Sequence, residues 1–480
     1  MSMRAAAQRP WSWAAAFAAA LLLGRAATAA DINWADVEKE AADFLRAYIQ
    51  IDTSNPPGNE IAAARFLAGR LRRADIDTEV FESEPGRGSV LARVKGTGGL
   101  RPVILLSHLD VVPAKPDGWQ VPPFSGAVRD GYVYGRGAID CKGPGTVEVM
   151  ALLLLKRYGI KLKRDVIFLG TADEETGGQL GAGWMVAHHF DALQNAELLL
   201  NEGVSVRVLA DGSRVYEVAV SEKTPCWLQL TTTGPPGHGS APAPETAVTR
   251  LIRALEHLRL YQPPLRVTPE VQAYYAALAA AQTGERRERY KDLRAALADE
   301  DFRRSFLQDP HDAALVHDTI TPTVLQGSPK TNVIPSTASA ELDCRLLPGE
   351  DPQAFVRTIT DVIADPDVKV SVLLNFSASS SPIDAASYAA VRRLAERDGV
   401  PVVPSVLTGF TDSHYFREKG IASYGFIPFD LSEDERRREH GVNERVSTLN
   451  LRQGTQRLID ILRILGTESR HDGESQTEKN

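Results

Sequence analysis

Apolar positions follow two rhythms along this chain. In ADVEKEAADFLRAYI, residues 35–49, they recur at helical spacing, with Asp31 and Asn33 available as caps. The loop DTSNPPGNE separates this stretch from a second amphipathic helix, IAAARFLAGRLRRADI. The period then shortens to that of strands in DTEVFES, SVLARVKGT and PVILLSHLD. PVILL is a continuous apolar run, as expected of a strand buried on both faces. A long helix is predicted from Thr146 to Tyr158, with Val147, Met150, Ala151 and Leu154 on one face. Two further apolar runs, in RDVIFLGTADEETGG and AELLLNEGV, each end in acids. Helices interleaved with buried strands predict an α/β fold: a mixed, mostly parallel sheet flanked by helices.

The middle of the chain reads differently. SEKTPCWLQLTTT is a strand, followed by a Gly- and Pro-rich turn and a helix from Thr246 to Arg259. A later strand lies in TNVIPSTASAELDCRLLP, a helix in PQAFVRTITDVIA and a strand in VKVSVLL. This predicts a strand–helix–strand–strand–helix–strand unit, an α+β ferredoxin-like domain inserted into the first. Residues 263–318, rich in Ala, Arg and Glu at helical period, form an insertion that lines a substrate channel or a subunit contact. A linker, a helix in AASYAAVRRLAERDG and a final helix, LNLRQGTQRLIDILRIL, return to the first domain. The expected division is 30–221 and 379–467 for the first domain and 222–378 for the inserted one, with a disordered tail at 468–480.

A chain of 480 residues is too long for one core, in keeping with two domains. The net charge of −8 and the lack of a basic stripe exclude a nucleic-acid partner. Three cysteines, Cys141, Cys226 and Cys344, make no disulfide framework and read as small apolar fillers, with one bridge left open. The N-terminus has its own signature. Arg4 and Arg9 precede WSWAAAFAAALLLG, and Ala27 and Ala29 form an A-x-A site. This predicts a signal peptide over 1–29, cleaved after Ala29, and a secreted or periplasmic product. The run is shorter than the roughly 20 apolar residues of a membrane span, and no second membrane segment follows.

The chemistry collects at the strand ends. GRGAIDCKG carries Asp140, SHLDVVP carries His108 and Asp110, TADEETGG carries Glu174 and Glu175, LLLNEGV carries Glu202, and EHGVNERV carries His440. Ligands of open α/β sheets sit beyond the carboxyl ends of strands. Imidazoles and carboxylates there, beside small residues, read as a metal cluster with a built-in base, hence a hydrolase with two zinc ions. In extended chain, positions i and i+2 point together. His108 is therefore a ligand candidate, with Asp110 the acceptor that orients it. Alone, the pair would fit a surface loop as well. Glu174 and Glu175 leave the chain in different directions, so one can bind metal while the other holds a proton. His188, His189, His257, His311, His317 and His471 show no ligand spacing.

These motifs, with DGYVYGRGAIDCKG and the loop bearing Trp119, Pro122, Pro123 and Phe124, resemble a known family. It is the di-zinc metallopeptidase family 20, which contains aminoacylase, carboxypeptidase S and glutamate carboxypeptidase, and more distantly acetylornithine deacetylase and succinyl-diaminopimelate desuccinylase. The likeness covers nearly all of the mature chain and is strongest to the aminoacylase and carboxypeptidase S branch. It implies that Asp140 bridges two zinc ions per subunit (Co²⁺ or Mn²⁺ as substitutes), with His108 and Glu202 at one and Glu175 and His440 at the other. It also implies that Glu174 is the general base. Many relatives have Asp-Glu-Gly where this chain has Asn201-Glu202-Gly203; the ligand is placed on Glu202, with Asn201 the alternative.

The resemblance further implies that the inserted domain is a lid and homodimerisation surface. His238 would polarise the scissile carbonyl, often from the partner subunit, and Asn332 and Arg345 would bind substrate. The residues alone leave His238 open as a turn residue and Arg345 as a partner of Asp343 or Glu341. The segment of Gly409, Thr411 and Asp412 is similar to one near the substrate in relatives, and Glu444 is a candidate support for His440. The expected activity is cleavage of an amide in an N-acyl amino acid or a short peptide with a free carboxylate. A dipeptidase, or a lapsed metal-binding dimer, is the alternative.

Overall fold

The computed structural model describes residues 32–377 and 380–467. The expected signal peptide and C-terminal tail lie outside the described residues. No helix among the described residues is long and apolar enough to cross a membrane.

The first domain is built on an eight-stranded sheet. In spatial order its strands are Asp77–Glu84, Arg87–Val94, Val166–Thr171, Val103–His108, Leu198–Val208, Ala422–Ser432, Arg214–Glu222 and Val402–Leu407. Val103–His108 is parallel to both of its neighbours, and Ala422–Ser432 is parallel to Leu198–Val208. The first two strands are antiparallel, so the sheet is mixed but mainly parallel. Alternate side chains of Val103–His108 enter different cores, which explains its unbroken apolar run. Val103 and Leu105 join the helices Trp34–Ile49, Glu60–Arg73, Lys142–Arg157 and Thr448–Thr467 on one face. Ile104 and Leu106 join Met185, Phe416 and Ile421 on the other. The helix expected from Thr146 starts earlier, at Lys142, directly after Asp140 and Cys141.

The inserted unit has its own antiparallel sheet, in the order Thr319–Gln326, Thr337–Leu346, Thr224–Thr233 and Val368–Asn375. Helices Ala247–Leu260 and Pro352–Ile363 pack on it around Leu228, Leu230, Leu342 and Ile359. Both chain passages into this unit meet where Ser221 pairs with Ser380.

The helical stretch expected at 263–318 packs away from the sheet of the inserted unit. Val271, Tyr274, Tyr275 and Phe306 form a core with Val215, Val403 and Val406, at the edge of the central sheet. Its sequence lies inside the insert, but its apolar stripe is covered by the first domain.

Candidate metal centre

Most candidate ligands stand at or beside the end of an ordered element, but Glu202, expected at a strand end, lies inside the strand Leu198–Val208. His108 closes the strand Val103–His108 and is buried. Its Nε2 lies 2.7 Å from Asp140 Oδ1 and 3.4 Å from Glu202 Oε2. The other carboxylate oxygen of Asp140 lies 2.8 Å from His440 Nε2, which is 3.3 Å from Glu175 Oε1. Donor atoms of His108, Asp140, Cys141 and Glu202 lie within 4.8 Å of one another, as do those of Asp140, Glu175 and His440. Residues from 108 to 440 thus converge as two groups that share Asp140. Asn201 points elsewhere: its amide donates to Ser413 Oγ at 3.1 Å.

The carboxylate of Glu444 holds the Asp140 loop. It accepts the backbone N–H groups of Gly137, Ile139 and Asp140 at 3.0, 2.8 and 3.1 Å, and the guanidinium of Arg136 at 2.6 Å. Arg136 also donates to the carbonyl of His440 at 3.0 Å. Glu444 was expected to support His440; it supports the loop of Asp140 instead and reaches His440 through Arg136.

A second scaffold holds the acidic turn. Glu174–Thr176 is a single 3-10 turn preceded by Asp173 in the left-handed region, φ 74°. The Asp173 carboxylate accepts from Leu180 N at 2.9 Å and Arg87 Nη2 at 2.7 Å. Asp110 accepts the N–H groups of Glu174 and Glu175, each at 3.1 Å, and the amide of Asn55 at 2.8 Å. Asp110 also faces His108, as expected, through both its backbone carbonyl and its carboxylate. His108 Nδ1 donates to the backbone carbonyl of Asp110 at 3.0 Å, while the carboxylate is 3.5 Å away. Either way Nδ1 is engaged and Nε2 is left as the ligating atom.

Burial and crowding of the acids shift their protonation. Burial, with Asp140 adding to it, pushes the Glu202 carboxyl up to about 8. Burial and Glu202 push Glu174 well above the usual range, and burial and Asp140 raise Glu175. Hydrogen bonds to Asp140 and Glu175 push His440 up to about 11. Four carboxyl groups stand around two imidazoles, a concentration of acid that bound cations would relieve. Imidazole nitrogens and carboxylate oxygens are the donors zinc takes, so the residues fit a metal pair. Cys141 stands beside this first group, and burial, then Glu202, pushes its thiol well above its ordinary value.

A cavity of about 870 Å³ opens from this cluster and is walled by Asp140, Glu174, Glu175, Glu202, His440 and Arg345 among others. Arg345 pairs with Asp343 at 2.7 Å and lies over the rings of Trp227 and Phe410. Five expected site residues are not on its wall: His108 and Asp110, buried behind it, and His238, Asn332 and Asp412. His238 and Asn332 stand on an exposed two-stranded ribbon, where Gly237–His238 pairs with Val333–Ile334 and Gly239 N donates to Asn332 O. Asp412, expected among the substrate contacts, is buried and accepts from Thr171 Oγ1 at 2.7 Å; its neighbours Gly409, Phe410 and Thr411 form the wall. Conversely, Arg207, Glu217, Tyr274, His311 and Arg436 line the cavity without having been singled out. The run Arg436–Arg437–Arg438 just before His440 was the available signal.

The model of the peptidase family M20/M25/M40 matches residues 104–464. The N-fatty-acyl-amino acid synthase/hydrolase PM20D1 of Xenopus tropicalis is 32% identical, over 90% of this chain and 87% of its own length. Aminoacylase-1A of Rattus norvegicus is 29% identical, over 84% of this chain and 91% of its own. Among solved structures, an M20 family metallo-carboxypeptidase from Sulfolobus solfataricus superposes with a TM-score of 0.71 at 18% identity, covering 88% of this chain and 99% of its own.

Proposed function

The chain belongs to peptidase family M20/M25/M40 and is a hydrolase of that family. From that premise we propose that it cleaves the amide bond of an N-acyl amino acid or a short peptide bearing a free carboxylate. The observation that carries the reading is the shared carboxylate of Asp140, flanked by two imidazoles, with the unshared Glu174 in the same cavity.

In this reading His108, Asp140 and Glu202 hold one zinc ion and Glu175, Asp140 and His440 the other. Such a pair supplies an acidified water and an electrophile for the carbonyl oxygen. Glu174, whose carboxyl binds a proton unusually well, takes one from the attacking water and returns it to the leaving nitrogen. Arg345 offers a planar fork to the substrate's carboxylate. His238, exposed on its ribbon, serves the cavity of a second copy and donates to the developing oxyanion, and Asn332 binds substrate. Homodimerisation through the inserted unit, export by the N-terminal segment and loading with zinc rather than cobalt or manganese belong to the same proposal. A dipeptidase is the second reading, favoured by the charged side chains on the cavity wall. The deciding assay gives zinc-loaded mature protein a panel of N-acyl amino acids and dipeptides. Hydrolysis of neither class would end the proposal, and dipeptides alone would select the second reading.

A further inference from the structure

The proposed function leaves open what lies on the acyl side of the scissile bond. Arg345 stands with Trp227 and Phe410, beside the sheet of the inserted unit. Another stretch of the cavity is bounded by the strand that continues from Glu202, the helix Glu433–Arg436 and the helical segment on the sheet edge. There Arg207 Nη1 lies 3.5 Å from Glu217 Oε1 and Arg436 Nη1 lies 3.4 Å from Glu217 Oε2. One buried carboxylate therefore sits between two guanidinium groups, whose side chains remain 35% and 28% exposed. Arg437, the third cation of this wall, pairs with Glu433 at 3.3 Å. Two further acids line the cavity, each holding a hydrogen-bond donor of its own. Asp309 caps the helix Pro310–Ala314, and Asp312 accepts from the Tyr275 hydroxyl at 2.6 Å. Glu439 lies at the metal end, beside His440. Three guanidinium groups of this wall thus share two carboxylates, Glu217 and Glu433, the latter also 4.0 Å from Arg207 Nη2.

We propose that Arg207 and Arg436 form a subsite for an acyl group that carries its own terminal carboxylate. The inference rests on the hydrolase reading above and adds the acyl class to it. A carboxylate completes the fork geometry of the two arginines. An alkyl chain of the same length would strip water from these groups and return no hydrogen bond. The cavity has the volume of a site for a small molecule of this size.

The test uses matched substrates on one amino acid: N-suberoyl against N-octanoyl, and N-glutaryl against N-pentanoyl, with N-acetyl as the common reference. Within each pair the chains are equally long and differ in their terminal group. The dicarboxylic member should have the higher kcat/KM, by about tenfold or more, as a charged hydrogen bond provides. Arg436→Glu and Arg207→Met should each lower that ratio. A ratio taken within one preparation does not depend on how much of a variant is folded, and the wild-type arm stands without the variants. A ratio at or below one in the wild type overturns the subsite while leaving the hydrolase reading intact. So does a ratio unmoved by both substitutions. No turnover of any substrate, N-acetyl included, removes the hydrolase reading and the subsite with it.

Discussion

Glu444 accepts the backbone N–H of Asp140 at 3.1 Å, across 304 positions of sequence. The residue that touches both histidines is thus oriented by a carboxylate that touches neither. Replacing it tests how far the cluster depends on that support. Glu444→Gln puts an amide donor against an N–H or Arg136 and leaves that arginine buried without its charge partner. Unfolding free energy should fall by roughly 3 kcal/mol. Metal affinity should fall about 10–100-fold. Denaturant titration and competition with a chromogenic chelator measure the two separately.

Sharing of Asp140 has a signature in stoichiometry. Asp140→Ala removes a ligand from both groups, whereas Glu175→Ala removes one from a single group. Elemental analysis after dialysis should find the first variant nearly empty and the second close to a single ion per chain. Equal losses in the two would contradict a shared ligand.

Glu174→Gln keeps the shape of the side chain and removes its basicity. The variant should bind metal and melt like the wild type while kcat falls by about 10²–10⁴. Turnover near the wild-type rate would assign the proton transfer elsewhere.

Lys223 gives a prediction in pH. Its ammonium is buried at the junction of the two units and donates to the carbonyls of Ala314 and His317, both at 2.9 Å. Burial lowers its pKa from 10.5 to about 8. Between these values the unfolded chain binds more protons than the folded one, so this residue makes stability rise with pH across that window. Below about 8 its penalty is constant. Against Lys223→Met, the wild type should gain up to about 3 kcal/mol from pH 8 to 10.5. Paired urea titrations at the two ends check the sign.

Much of the centre was legible because its parts are local. His108, Glu174 and Glu175 each close or follow an apolar run that forms a buried strand, Glu202 sits within another, and parallel pairing brings these strands side by side. The antiparallel sheet of the inserted unit was legible for the same reason: its strands and helices keep their own period. What could not be read depends on partners remote in sequence. The role of Glu444 rests on backbone N–H groups, which carry no sequence signal. Asp412 resembled a site residue by its neighbours, yet it turns inward to Thr171. The helical stretch near 263–318 has an apolar stripe that says it is covered and not by what. Its contact with Val403 and Val406 places Tyr274 and His311 on the cavity.

The two imidazoles that meet Asp140 come from opposite ends of the chain, His108 before the insert and His440 after it. A ribosome delivers the first long before the second. Until the last segment emerges, the growing polypeptide carries a half-made, strongly acidic hollow and no means of closing it. An early-folding N-terminal half would therefore be inert, and competence would arrive all at once with the final stretch, a natural safeguard against hydrolysis by unfinished product.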